Sequence, residues 1–180
     1  MVTKFLTTPL TKQLEAIHLI PKSGNALDLG CGDGQESFAL AERGLQVTAV
    51  DAKNVSEVET KIGKLPIEIV QNDIRKFEIK PDFFNIIVAK NVLPFLSTRE
   101  EVFEVIRNIA QGLCADGVLY ITLFGPRDAW AQTENNMTFI EYGDAVDFLS
   151  TLSLAPIYKS TEEGMGPTMK GDLKYWQIHK

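Results

Sequence analysis

Cysteine is scarce in this chain: Cys31 and Cys114 stand far apart, too few for a disulfide framework and in no metal-ligand spacing. No metal is expected, and a reducing cytoplasm is the expected setting. Histidine is as thin, with only His18 and His179. Each stands alone, one in an amphipathic helical pattern and one in a terminal strand pattern, where histidine is more often structural than catalytic. No apolar run approaches the length of a membrane span. The opening M-V-T-K-F-L-T-T-P is too short and too polar for a signal peptide. Repeats, low-complexity tracts and interdomain linkers are also missing, so one domain over 1–180 is expected. Basic residues are outnumbered, 18 against 24, and the net charge of -6 argues against a nucleic-acid partner, whose phosphates call for a basic face. A hydrophobic content of 44% then suffices for a soluble domain with a real core.

What is there alternates. Thr7 or Thr8 with Pro9 opens a helical pattern up to Pro21, and Asn25 to Leu29 reads as a strand. A helix from Gln35 to Arg43 stops at Gly44, and Gln46 to Val50 is a second strand. A polar, weak helix is expected over roughly Asn54 to Lys64, then a strand over Ile67 to Val70. Phe83 to Ala89 is almost wholly apolar, as a parallel strand buried on both faces should be. Ser97 to Glu101 offers two overlapping capping boxes for a helix ending at Asp116-Gly117. Val118 to Leu123 is the fifth strand, followed by an aperiodic polar loop over Gly125 to Thr138. A helix over Tyr142 to Leu152 precedes an extended segment and a last strand, Leu173 to His179. Strands alternating with helices give right-handed crossovers and a parallel sheet. The final pair has no room for a crossover helix, so one strand is antiparallel.

The densest signal is Asn25 to Gly34, N-A-L-D-L-G-C-G-D-G, where an apolar run breaks into glycines at 30, 32 and 34. Such a turn tolerates positive φ and lets a ligand lie against the backbone. With a helix N-terminus behind it, the turn suits a nucleotide-type ligand with an anionic end. The dinucleotide fingerprint G-x-G-x-x-G fails, because Gln35 and Ser37 stand where its third glycine belongs. The pattern is instead D-x-G-x-G-x-G, with Asp28 ahead of it. Asp51 ends the next strand, where a carboxylate can accept both ribose hydroxyls.

This combination resembles the class I S-adenosylmethionine-dependent methyltransferases. The order L-D-L-G-C-G-D-G, L-A-E-R-G-L-Q-V-T-A-V-D, N-V-L-P-F-L, F-G-P-R-D-A-W and L-K-Y-W-Q-I-H resembles the small bacterial tellurite-resistance-type members over nearly the whole chain. The resemblance implies an α/β, doubly wound, mostly parallel seven-stranded sheet with the last strand antiparallel. It implies S-adenosyl-L-methionine held by Asp28, Gly30, Cys31 and Gly32 at its methionine end, and by Asp51 with Ala52 at the ribose. Asp73 and Ile74 would take the adenine, although a turn aspartate also fits position 73. Ala89 and Lys90 would offer a carbonyl to the cofactor's amino group.

Lys90 and Asn91 also open toward the acceptor. The Asn/Asp-Pro-Pro-aromatic motif of adenine N-methyltransferases is missing from A-K-N-V-L-P-F, which speaks against DNA adenine as substrate. Arg127 can pair with an anionic acceptor and Trp130 can close over it; an ordinary surface loop with Trp130 anchored in the core fits equally. No strand-end residue stands out as a general base, so the expected acceptor is a small molecule with a soft or anionic nucleophile, a thiol or a tellurium or selenium oxyanion. A non-catalytic cofactor-binding module and a nicotinamide-dependent oxidoreductase are the rival readings.

Overall fold

Five parallel strands form wherever a short apolar run is bounded by turn residues: β1 (Asn25–Leu29), β2 (Gln46–Asp51), β3 (Ile67–Gln71), β4 (Phe84–Ala89) and β5 (Leu113–Phe124). They are seen in a computed structural model that describes residues 19–53, 55–132, 136–165 and 170–179. The helix expected over Thr8 to Pro21, with His18, lies almost wholly outside those residues. The crossovers carry α1 (Gln35–Ala41), α2 (Ser56–Glu59) and α3 (Arg99–Gly112). Beyond β5 come α4 (Tyr142–Ser150), β6 (Ala155–Met165) and β7 (Lys170–His179), with β7 antiparallel to both β5 and β6. The hydrogen-bonded order is β3-β2-β1-β4-β5-β7-β6.

Strand order reverses between β1 and β4, which are adjacent and in parallel register from Ala26 opposite Ile86 to Asp28 opposite Val88. An open α/β sheet has its natural crevice outside the carboxyl ends of such a pair. Both strands are buried on two faces. Leu27, Leu29, Ile87 and Ala89 pack with Val102, Val105, Ile106 and Ile109 of α3, while Ala26, Ile86 and Val88 pack with Leu40 and Leu45. The site therefore sits on a rigid floor.

Several boundaries differ from the periodicity, with β5 opening at Leu113 rather than Val118 and β7 at Lys170 rather than Leu173; two further differences have a visible cause. The polar 54–64 stretch yields only four residues of helix, because among its described residues Val55 and Val58 alone bury and Gly63 turns to φ +60°. Helix α3 ends at Gly112 rather than at Asp116-Gly117. A Cβ on Gly112 would lie 2.2 Å from Ile79, and Leu113 is already extended and paired with Phe84. Asp116, at φ +60°, instead sits in an irregularity of β5 where the register shifts between Phe84 and Ile86.

Candidate active site

The glycine loop hangs from the end of β2. Gly30 N and Cys31 N both donate to the Val50 carbonyl, at 2.7 and 3.1 Å, and Gly32 N donates to Asp51 Oδ2 at 3.0 Å. Gly34 N donates to the Cys31 carbonyl at 2.8 Å. These amides are engaged within the protein, so the loop is not the anion cradle that its glycines suggest. Two of its glycines, Gly30 and Gly34, serve close packing. A Cβ on Gly30 would strike Val92 at 2.5 Å, while one on Gly32, at φ +53°, would meet nothing within 4 Å. Gly32 thus presents bare backbone to open space.

That space is a cleft of about 290 Å³ whose lining includes Asp28, Gly30, Gly32, Glu36, Lys90 and Asn91. Asp28 is 2% exposed and accepts the Ser37 hydroxyl at 2.6 Å. Burial pushes its carboxyl up to about 7, against the lowering effect of the Ser37 bond, with Glu36 raising it further and Lys90 lowering it. Lys90 Nζ lies 2.5 Å from Glu36 Oε1, and both side chains are largely buried. Cys31 is buried, and desolvation with the nearby Asp28 and Asp51 pushes its thiol up to about 12, so it is no thiolate nucleophile. Asn91 stands at φ +54° with its buried Oδ1 lacking a hydrogen-bond partner among the described residues. Asp51 Oδ1 accepts Lys53 N at 2.8 Å across the exposed Ala52. Each Asp51 oxygen so keeps a lone pair for a hydroxyl.

Against this geometry stand the comparisons. The family model for the methyltransferase domain matches residues 27–121, more than half of the chain, from β1 through most of β5. The chain belongs to the S-adenosylmethionine-dependent methyltransferases. A candidate methyltransferase of Bacillus subtilis, YqeM, is 28% identical over 145 residues, covering 77% of this chain and 57% of that protein. The cypemycin N-terminal methyltransferase of a Streptomyces species is 35% identical over 104 residues, covering 57% of this chain and 42% of that one. The chain thus spans about half the length of these curated relatives. Magnesium protoporphyrin IX methyltransferase from Synechocystis, solved with bound S-adenosylhomocysteine, shares the fold at a TM-score of 0.76 and 17% identity, over 95% of this chain and 80% of that one.

The methyltransferase cofactor, S-adenosylmethionine, suits the cleft on one structural ground: the void at Gly32 is one that any Cβ would begin to fill. Among the expected cofactor residues, Asp28, Gly30, Cys31, Gly32 and Lys90 converge on the cleft, and Asp51 is tied to it through Gly32. Asp73 and Ile74 follow β3, linked to β2 by Asn72 N donating to the Asp51 carbonyl at 3.0 Å. Asp73 is gripped by Arg75, whose Nε and Nη2 donate to its two oxygens at 3.0 and 2.5 Å; that side-chain bond holds its carboxyl down at about 2. Ala89 ends β4, fully buried.

Of the expected acceptor residues, Asn91 and Lys90 line the cleft, but Arg127 and Trp130 do not. Arg127 is exposed beyond β5. Trp130 lies in a 3₁₀ turn, Ala129–Gln132, that Asp128 caps by accepting Trp130 N at 2.9 Å. Its ring packs edge-on against Phe124 at 5.7 Å and Phe95 at 6.1 Å. Phe95 is 53% exposed, the exposed large hydrophobic among the described residues. Sequence reading missed Glu36, Ser37 and Phe95. Only Phe95 left a trace, inside N-V-L-P-F-L.

Proposed function

We propose that this chain transfers the methyl group of S-adenosylmethionine to a small-molecule acceptor lying over the carboxyl ends of β4 and β5. The observation that carries the reading is the bare backbone of Gly32 facing a cleft whose loop is locked to Asp51. When bound, the cofactor supplies a methyl carbon activated by a sulfonium, and transfer leaves a neutral thioether. Asp51 would accept the ribose hydroxyls, with Ala52 beside it. Asp73, steadied by Arg75, would accept from the adenine amino group, with Ile74 donating its amide. Ala89 and Lys90 would direct carbonyls at the cofactor's amino group. The paired backbones of β6 and β7 support the seven-stranded methyltransferase sheet within one domain, 1–180.

The chain's contribution to rate is orientation and exclusion of water, and effective molarity alone supplies roughly 7–11 kcal/mol of a displacement barrier. Lys90 is bound to Glu36 as an ion pair and offers no free base. This favours an acceptor that needs none: a thiol, or a selenium or tellurium oxyanion as in the tellurite-resistance-type members that the chain resembles. An amine is the second reading. Phe95 and Trp130 form an aromatic wall able to take a cation, and the Streptomyces relative is named for N-terminal methylation.

A panel of thiols, tellurite, selenite and amines with methyl-labelled cofactor tests this. Label on one class fixes the acceptor chemistry. Binding of S-adenosylhomocysteine without transfer to any acceptor would make the chain a cofactor-binding module.

A further inference from the structure

The cleft is acidic where its glycine loop promises an anion site. Asp28, Asp33 and Glu36 line it against Lys90, the one lining cation among the described residues, and the Gly30, Cys31 and Gly32 amides are turned to Val50 and Asp51. Two of those carboxylates are nearly inaccessible to water, Asp28 at 2% and Glu36 at 6% exposure. Lys90 bonds Glu36, whereas the hydrogen bonds that Asp28 receives among the described residues come from the neutral hydroxyl and backbone amide of Ser37. A buried carboxyl of that kind needs a cation to ionise.

We propose that the Asp28–Glu36–Lys90 cluster reads ligand charge, holding the cationic methyl donor more tightly than the neutral thioether product and so favouring exchange of product for donor. The inference rests on the cofactor reading above and adds a discrimination to the same cleft. The groups that face Asp28 are Ser37 and Glu36 of α1, Lys90 beyond β4, and Cys31 of the loop, itself within range of Asp33 and Asp51. Among them only Lys90 is cationic, and it is shared with Glu36. A ligand cation in the cleft therefore draws a proton off Asp28, and its affinity rises with pH through the range in which Asp28 titrates, about 7. The thioether product lacks the sulfonium charge, so its dependence is weaker and comes only from the ammonium that both ligands carry.

The probes are sinefungin, whose amine carries positive charge at the sulfonium's position, and S-adenosylhomocysteine. Their amino and carboxylate groups match and cancel in the ratio of affinities. Calorimetry on the wild type should find sinefungin tighter by about tenfold at a pH near 8, with the preference shrinking toward a pH near 6. Asp28→Asn keeps a hydrogen bond to Ser37 and should flatten that pH dependence. Glu36→Gln should lower the preference at every pH, and it decides the matter with the wild-type profile if Asp28→Asn does not fold. Equal affinities at all pH values, or a preference unchanged in both variants, overturns the proposal. Failure of the wild type to bind either probe overturns the cofactor reading itself, a result distinguishable from both.

Discussion

Gly32 combines a left-handed backbone, φ +53°, with open space where its Cβ would be. Gly32→Val should cost roughly 1–3 kcal/mol from backbone strain alone, with no clash inside the protein. Its larger effect should fall on ligand binding, because the isopropyl group would occupy the cleft. The expected result is a folded protein that no longer binds S-adenosylhomocysteine in calorimetry; normal binding would remove this loop from the site. Asp51 supports the same loop from below, accepting Gly32 N and Lys53 N on separate oxygens. Asp51→Ala should therefore unseat the loop and lose the ribose contacts together. In thermal melts S-adenosylhomocysteine should stabilise the wild type far more than the variant. Equal shifts would take Asp51 out of the site.

Among the elements, α3 is the clearest case of local sequence fixing geometry. Thr98 Oγ1 accepts Glu101 N at 3.1 Å, and Glu101 Oε2 accepts Ser97 N at 2.9 Å, so of two overlapping boxes the second caps the helix. Glu101 also receives Arg75, the residue that grips Asp73, joining the cap to the loop after β3. Thr98→Ala should cost about 1 kcal/mol and lower the melting temperature by about 2–4 °C, with cofactor affinity unchanged; a larger affinity loss would mean that the cap positions Asp73. The turn after β5 poses the opposite problem, since its packing is not periodic. Phe95, Phe124 and Trp130 meet from three separate segments, and only Phe124 is fully buried. If this is the acceptor wall, Phe95→Ala, Trp130→Ala and Arg127→Ala should cut turnover on the true acceptor while leaving S-adenosylhomocysteine affinity nearly unchanged. Loss of neither would move the acceptor to Lys90 and Asn91. Strands and long helices were legible because burial on both faces or on one stripe writes its period into contiguous residues. The end of α3 was not, because it is set where Leu113 turns extended to pair with Phe84, far back in the chain.

At the scale of the whole molecule, what was legible in the site was the part carried by one short stretch. The glycine loop and the acid ending β2 announce themselves within 27 positions of chain, from Asn25 to Asp51. Glu36 and Lys90 meet across 54 positions, and nothing in either neighbourhood marks the pair. Asp28 stands beside the glycines in sequence, but nothing there marks its burial at the cleft wall or its bond from Ser37. Its burial has a consequence for global stability. The folded protein holds the Asp28 proton up to about pH 7, whereas the unfolded chain releases it near 3.8. Between those values the native state binds more protons than the unfolded state, so this group's contribution is fully present below the unfolded value and is lost as pH rises through the folded one. The slope from this single group is at most about 1.4 kcal/mol per pH unit. Asp28→Asn has no proton to lose and keeps a partner for Ser37. Chemical denaturation of both proteins should therefore show the wild type losing stability relative to the variant as pH rises from about 4 to about 7, and a constant difference above that. The remaining titratable groups, Asp73 with Arg75 among them, act in both proteins and drop out of the comparison. A difference that is flat across the window, or that grows in the wild type's favour, would mean that Asp28 is ionised in the native state.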